Sequence, residues 1–407
     1  MRLLHTSDWH LGHNLFGRKR TEEFCAFLLW LKNLMNEKGV DVLLVSGDIF
    51  DTTTPSNQAQ ELYYEFLSSV GSQTSCKRIF ITAGNHDSAS FIEAPKTILK
   101  SLKVDVIGAM TENSADEVFE VCDADGKQQL IVCAVPYLRE KDLRRAKQGE
   151  DVQEREKRTL KAIREHYKAV GDLALKKRAT TNVPIIEMGH LYVSGSITKE
   201  RLMGEPDPVY VGSLGQVPSD IFSPQASYVA LGHIHMPQKV GGSEKVQYSG
   251  APLPMSFAEA DNLKRVVLLD INEKGEITSE SVDVPMFQEL IQIKGDWETI
   301  DQQIQALKAR DSSAWLEVIY DSAAVMGDLR NRVLELVQGS ALEVLRIKNK
   351  QVIQEALSHS KTQKELEQLT PQEVFDLCLK ENDVAEDQWE NLREKYQTIL
   401  DEVNTVE

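Results

Sequence analysis

No stretch of this 407-residue chain holds the roughly 20 consecutive apolar residues that would span a bilayer. Nothing at the N-terminus reads as a secretory leader either, because Met1-Arg2-Leu3-Leu4 meets His5 and Asp8 before an apolar core can build up. Cysteine is scarce. Five cysteines (Cys25, Cys76, Cys122, Cys133, Cys378), an odd number with no Cys-x-x-Cys pair, speak against a disulfide framework and for buried thiols in a reducing cytoplasm. Cys122 and Cys133 fall on neighbouring strands, but nothing else in the sequence supports a bond between them. Positive charge is short as well: 46 Lys/Arg stand against 63 Asp/Glu, a formal −17. That balance argues against a chain that grips nucleic acid through bulk electrostatics, since such affinity comes from cations neutralising phosphates. The charge is uneven, however. Residues 139–178 hold 14 Lys/Arg and 8 Asp/Glu, a local +6, while residues 350–407 hold 6 and 14, a local −8. A partner for nucleic acid would have to use local patches, metals that offset acidity, or a basic second subunit.

What the sequence does have is organised around Gly84-Asn85-His86-Asp87. The apolar, β-branched run over 78–82 reads as a buried strand that stops at Ala83-Gly84, which places Asn85 and His86 at the strand's carboxyl end. That rim is where open α/β sheets hold ligands. Asn85 offers a hard metal a neutral carbonyl oxygen, and His86 an imidazole able to move a proton near neutral pH. Alone, such a string is ordinary turn chemistry. Four further apolar runs end in the same way: at Asp8-Trp9-His10, at Gly47-Asp48-Ile49-Phe50-Asp51, at Gly189-His190 and at Gly232-His233-Ile234-His235. Any one reads as a capping Asp or a satisfied core histidine. Five together read as a two-metal hydrolase.

In this order the motifs resemble the calcineurin-like metallophosphoesterases. Thr6-Ser7-Asp8-Trp9-His10-Leu11-Gly12, Ser46-Gly47-Asp48-Ile49-Phe50-Asp51 and Ala230-Leu231-Gly232-His233-Ile234-His235 look like the SbcD branch, the nuclease subunits of bacterial SbcC–SbcD DNA-processing complexes. Thr52 after Asp51, and Asp87 closing the third motif, depart from the protein phosphatases of the superfamily. The resemblance is strong to about Phe257 and looser beyond. It implies a mixed-sheet α-β-β-α sandwich with a small α+β capping domain and a C-terminal helical segment. The expected divisions are 1–285 for the nuclease domain, 286–348 for a capping, DNA-contacting domain, and 349–407 for a linker and partner-binding helices.

The resemblance also assigns residues. Asp8, His10, Asp48 and His235 would hold one metal and Asp48, Asn85, His190 and His233 the other, with Asp48 as the bridge. Oxygen and imidazole donors without thiolate fit Mn²⁺, Fe²⁺ or a Zn²⁺ mixture, and Mn²⁺ is the family's usual activator. Two cations about 3.5–4 Å apart would clamp a phosphodiester and acidify water. His86 would act on the leaving oxygen, and Asp51 would orient it. His13 matches no ligand and is expected to face solvent or substrate, while His5, His166 and His359 read as structural. The implied activity is a 3′→5′ double-strand exonuclease and endonuclease acting on DNA with a coiled-coil SbcC-type ATPase, in a heterotetramer built on a homodimer. A small-molecule or cyclic-nucleotide phosphodiesterase shares the ligands without needing residues 290–347. A non-catalytic scaffold has no use for His86.

Along the chain, Thr21 is expected to cap a helix ending at Gly39, and Pro55-Ser56 to start one ending at Gly71, with a further helix over 92–102. The segments 56–70, with Leu62, Tyr63 and Phe66 on neighbouring turns, and 89–102 are the candidate dimer surface. Strands 118–122 and 130–134 flank the turn at Asp125-Gly126. Residues 140–177 read as a charged helix, either plainly solvated or touching DNA through Arg144, Arg145, Lys147, Arg155 or Lys157. Residues 290–347 read as a βαβαβ unit, and 370–403 as two amphipathic helices opened by the capping pattern Thr370-Pro371-Gln372-Glu373.

Overall fold

The computed structural model describes residues 1–143, 152–180, 182–197, 216–322, 326, 328–349 and five single positions beyond them. Two compact units divide the chain, Met1–Ile291 and Gln292–Glu407.

In chain order the first unit begins β1 (Arg2–Thr6), β2 (Asn14–Leu15), β3 (Arg18–Lys19), α1 (Thr21–Lys38), β4 (Val42–Ser46), α2 (Asn57–Gln73) and β5 (Arg78–Thr82). It continues with α3 (Ala89–Glu93), α4 (Lys96–Ser101), β6 (Val104–Ile107), β7 (Val118–Cys122), β8 (Gln128–Ala134), α5 (Glu140–Leu143) and α6 (Val152–Lys177). Strands β9 (Ile185–His190), β10 (Tyr228–Gly232), β11 (Gln238–Lys239), β12 (Val246–Tyr248), β13 (Arg265–Ile271) and β14 (Ile277–Asp283) complete it. They form two six-stranded sheets, ordered β14-β13-β1-β4-β5-β6 and β11-β12-β10-β9-β8-β7. Within them β1, β4, β5 and β6 run parallel, as do β8, β9, β10 and β12; antiparallel pairings add β13 and β14 at one edge of the first sheet and β7 and β11 at the two edges of the second.

The central strands β1, β4, β5, β9 and β10 are buried at nearly every position because both faces of each sheet are covered there. In β4, Val42 and Leu44 enter the layer between the sheets, while Leu43 and Val45 enter the layer beneath α1 and α2. The inter-sheet layer is closed by Phe80, Leu130, Val132, Ile186, Met188 and Ala230. On the far side, Ile163, Tyr167, Val170 and Ala174 of α6 cover Ile131, Cys133, Ile185, Val229 and Leu231. The order is therefore helix, sheet, sheet, helix, as the fold class required. Emptying the middle layer by Phe80→Ala would cost about 3–5 kcal/mol.

Local expectations need adjustment. Thr21 opens α1 but does not cap it: the cap position is Arg20, which makes no side-chain capping bond. The Arg20 guanidinium is buried against Glu23 and the Pro254 carbonyl instead. Ser56 does cap α2, accepting from Ala59 N, but α2 runs past Gly71 to Gln73. Pro95 splits the expected 92–102 helix into α3 and α4. Tyr63 and Phe66 are 1% and 4% exposed within the core, so they are not available as a dimer face. Arg155 pairs with Glu140, whereas Arg144, Arg145 and Lys147 lie outside the described residues.

In the second unit a three-stranded sheet is ordered β15 (Leu290–Gly295), β16 (Trp315–Tyr320), β17 (Glu343–Asn349), the unit boundary falling inside β15. Helix α7 (Trp297–Ala309) is capped by Asp296, whose side chain accepts from Thr299 N, and α8 (Leu329–Val337) lies between β16 and β17 in the chain. Strands β16 and β17 are parallel. The amphipathic segment over 370–403 and His359 lie outside the described residues apart from single positions. Among the described residues no helix is long and apolar enough to cross a membrane.

Candidate metal centre

All five ligand-type strand ends meet at one rim of the sandwich. Beyond the end of β1 the chain runs alongside the loop after β4: Asp8 N donates to Gly47 O, His10 N to Asp48 O and Leu11 N to Ile49 O, at 2.9–3.0 Å. Trp9, fully buried, anchors the first loop through its indole N–H on Thr6 Oγ1 and its edge contacts with Phe27 and Phe66. The sharpness of these turns shows in the backbone. Asp8, His10, Asp48 and His233 all have positive φ, between 48° and 102°, a region that side-chain-bearing residues rarely adopt. Glycine makes the close approach possible. A Cβ on Gly84 would sit 2.1 Å from Asp48 Oδ1, and one on Gly47 would sit 2.1 Å from His190 Nδ1.

Two groups of donors result. In one, Asp8, His10 and His235 bring ligand atoms within 4.8 Å of one another, with His10 Nε2 and His235 Nε2 only 3.2 Å apart. In the other, Asn85 Oδ1 lies 3.1 Å from His190 Nε2 and 2.9 Å from His233 Nδ1. Asp48 stands between them, its Oδ2 lying 3.6 Å from His10 Nε2 and 3.2 Å from His190 Nε2. Burial opposes ionisation of Asp48, but His190 and then His10 outweigh it and hold the carboxyl below the ordinary carboxylate range. Burial likewise opposes protonation of His190, and the neighbouring Asp48 reverses this, raising the ring to about 9. Burial, reinforced by His190, drives His233 down to about 3.

His86 is exposed beside this centre. Its ring lies 4.9 Å from that of His10, its N–H donates to Asp48 Oδ1, and its Nδ1 lies 3.0 Å from the carbonyl oxygen of Asp51. It also falls within ligand distance of His10 and Asp48. Asp51 meets His86 as expected, but through its backbone carbonyl and not its carboxylate. Its backbone holds His86, while its carboxylate lies 3.0 Å from His13 Nδ1 and 3.3 Å from His10 Nδ1. His13 in turn reaches Met255 O through Nε2, so neither of its nitrogens is given to solvent.

Other contributors surround these ligands: Asp87, which closes the third motif without an assigned role, and Tyr137, Arg139, Glu259 and Lys264, which no motif announces. Asp87 is buried and accepts from Gly84 N, Ile49 N and Phe50 N, which ties the third loop to the second. Burial, and then the charge of Asp48, raises its carboxyl to about 6. Tyr137 crosses from the end of β8 to the other sheet, donating its N–H to Ala83 O, and its ring stacks on His233 and meets His190 edge-on. Arg139 grips the Asp87 carbonyl. Glu259 and Lys264 lie behind His235.

Comparison with known proteins places this rim. A family model described as calcineurin-like phosphoesterase matches residues 1–237, the stretch that carries every ligand-type strand end. The SbcD component of the SbcCD nuclease from Escherichia coli (strain K12) is 32% identical over 403 residues, covering 98% of each chain. The chain belongs to the SbcD family of calcineurin-like phosphoesterases. SbcD relatives from Rhodobacter capsulatus, 35% identical over 67% of this chain and 66% of theirs, and from Bacillus subtilis, 30% identical over 78% of each, agree. A second model, described as the type 5 capsule protein repressor C-terminal domain, matches residues 286–383 and so takes in the βαβαβ unit. The SbcD relationship accounts for the order of motifs along the chain. The distances above are what this sequence makes of them.

Proposed function

We propose that this chain is the nuclease subunit of an SbcC–SbcD-type assembly, a Mn²⁺-dependent phosphodiesterase with 3′→5′ double-strand exonuclease and endonuclease activity on DNA. Its setting would be break and hairpin processing in repair, recombination and replication. The observation that carries this reading is the meeting of Asp8, His10 and His235 on one side of Asp48 and Asn85, His190 and His233 on the other, with His86 beside them. The donors are carboxylate, amide oxygen and imidazole, a set suited to two divalent ions such as Mn²⁺. Two such ions, when bound, supply Lewis-acid polarisation of the phosphodiester and a water of lowered pKa.

The chain's own residues do the rest. Asp48 serves both halves, so one carboxylate fixes their separation. His86, held at Nδ1 by the Asp51 carbonyl, keeps Nε2 for the leaving oxygen, which it protonates. Asp87 keeps the loops of Asp48 and His86 in register. The unit over 286–348 is proposed to cap the site and contact DNA, and 349–407 to dock on the coiled-coil ATPase. A homodimer would use Ile98 of α4, which is 70% exposed.

An assay with Mn²⁺ on linear duplex DNA beside bis-p-nitrophenyl phosphate tests the reading. Cleavage of both, abolished by EDTA, is expected. Cleavage of the small ester alone would point to a small-molecule or cyclic-nucleotide phosphodiesterase, and cleavage of neither to a scaffold. Ending the chain at Ser358 should leave cleavage of single strands intact while co-purification with the ATPase is lost.

A further inference from the structure

Behind His10 and His235 a belt of contacts closes on itself. His235 Nδ1 lies 3.2 Å from Glu259 Oε1, and Glu259 Oε2 accepts from Lys264 Nζ and, at 3.2 Å, from Met255 N. Met255 O lies 3.1 Å from His13 Nε2, whose Nδ1 lies 3.0 Å from Asp51, whose carboxylate faces His10. His10 Nε2 meets His235 Nε2 and completes the circuit. Glu259 and Lys264 are 8% and 6% exposed, so this is a buried ion pair. Such a pair brings little net stability of its own, because desolvation offsets most of the attraction. Something other than stability has to account for a charge placed directly behind a ring nitrogen.

The chemistry of imidazole supplies it. A carboxylate only accepts, so the nitrogen facing it must carry hydrogen, and the lone pair is then left on the other nitrogen. Glu259 thus keeps hydrogen on His235 Nδ1 and aims the Nε2 lone pair at the centre. We propose that Glu259, locked in place by Lys264, is a positioning residue that fixes the tautomer and ring orientation of His235 and thereby the affinity of the half-site formed with Asp8 and His10. This rests on the reading that the rim holds divalent metal. Outer partners of this kind typically change metal affinity by about 10–100-fold when removed.

Because Glu259→Gln alone would strand a buried ammonium, the informative variant is Glu259→Gln/Lys264→Met, made in the full chain. Imidazole ¹⁵N NMR of the metal-free protein should show His235 as a single Nδ1–H tautomer in the wild type and as a mixture in the double variant. Calorimetric titration with Mn²⁺ alone should show two sites in the wild type, and in the variant one site weakened about 10–100-fold with the other unchanged. Lys264→Gln, which removes the lock but leaves Glu259 beside His235, should weaken the same site by less than the double variant does and leave the other site unchanged. An unchanged tautomer with two unchanged sites would overturn the proposal, as would a loss in Lys264→Gln equal to that of the double variant. Should the wild type bind no Mn²⁺ while the tautomer still responds, the metal reading fails and the positioning of His235 stands.

Discussion

The two halves of the rim fix their imidazoles by different means. His10 and His235 are backed by charge: Asp51 with His13 behind one ring, Glu259 with Lys264 behind the other. His190 and His233 are backed by neutral groups. His190 Nδ1 lies 2.9 Å from the Ser46 carbonyl, and the Tyr137 ring packs on both. A backbone carbonyl cannot be mutated away, and an aromatic face tolerates small shifts. A carboxylate must be kept ionised and in place. The first half should therefore be open to disruption from a distance, whereas the second should yield mainly to changes in its own ligands.

Asp48 belongs to both halves, so Asp48→Ala should erase the difference between them. Both metals and all detectable cleavage are expected to go, measured as Mn per chain by mass spectrometry beside a DNA assay. Next in size is His86→Ala. It should keep both metals and DNA affinity while cleavage falls by roughly 10²–10⁴-fold, if the ring acts on substrate beside the ligands as proposed. Loss of metal in the purified variant would instead make His86 a ligand, a role its distance to His10 and Asp48 permits.

A third variant asks what a buried carboxylate does without the cationic backing that Glu259 has. Lys264 and then His235 overcome burial and hold Glu259 below the ordinary carboxylate range. Glu187 accepts from Ser223 N, and burial raises it from 4.5 to about 7. Its folded-state pKa therefore lies above the unfolded one, and folding takes up a proton. The resulting stabilisation is fully present below pH 4.5 and is lost as pH rises through about 7. Glu187→Gln should flatten this dependence, gaining on the order of 2–3 kcal/mol at pH 8 relative to pH 4.5 in denaturant titrations. An unchanged pH profile would show that Glu187 remains ionised. The smallest effect is expected at Tyr137→Leu, which removes the aromatic face behind the neutral half. With ring contacts worth about 0.5–1.5 kcal/mol, Mn²⁺ affinity there should fall about three- to tenfold, with the His10–His235 half unmoved.

The sequence made the inner ring of the site legible for a physical reason. Each ligand sits where an apolar strand must stop, so the change from Val, Leu and Ile to Asp, Asn or His marks a place as well as a chemistry. The layering was legible too, since strands buried on both faces lose their alternation and helices keep theirs. The outer ring has no such period. His13, Tyr137 and the Glu259–Lys264 pair come from segments far apart in sequence, and only the folded chain brings them behind the ligands. Glu259 left one trace, as the only charged residue between Lys245 and Asp261. Asp51 was noticed for its spacing from Asp48, but spacing could not say whether its carboxylate or its carbonyl would meet His86. Tyr63 and Phe66 were misplaced because an apolar face on a helix looks the same whether its own sheet or a second copy covers it.

The rim is proposed to be a two-metal site that cuts phosphodiesters. Anaerobic titration of the metal-stripped full chain with Mn²⁺, with cleavage of linear duplex DNA followed at each point, tests it most directly. The account predicts two Mn²⁺ per chain, with cleavage appearing only as the second site fills. Cleavage that persists without metal, or that reaches its full rate with a single ion bound, would contradict it.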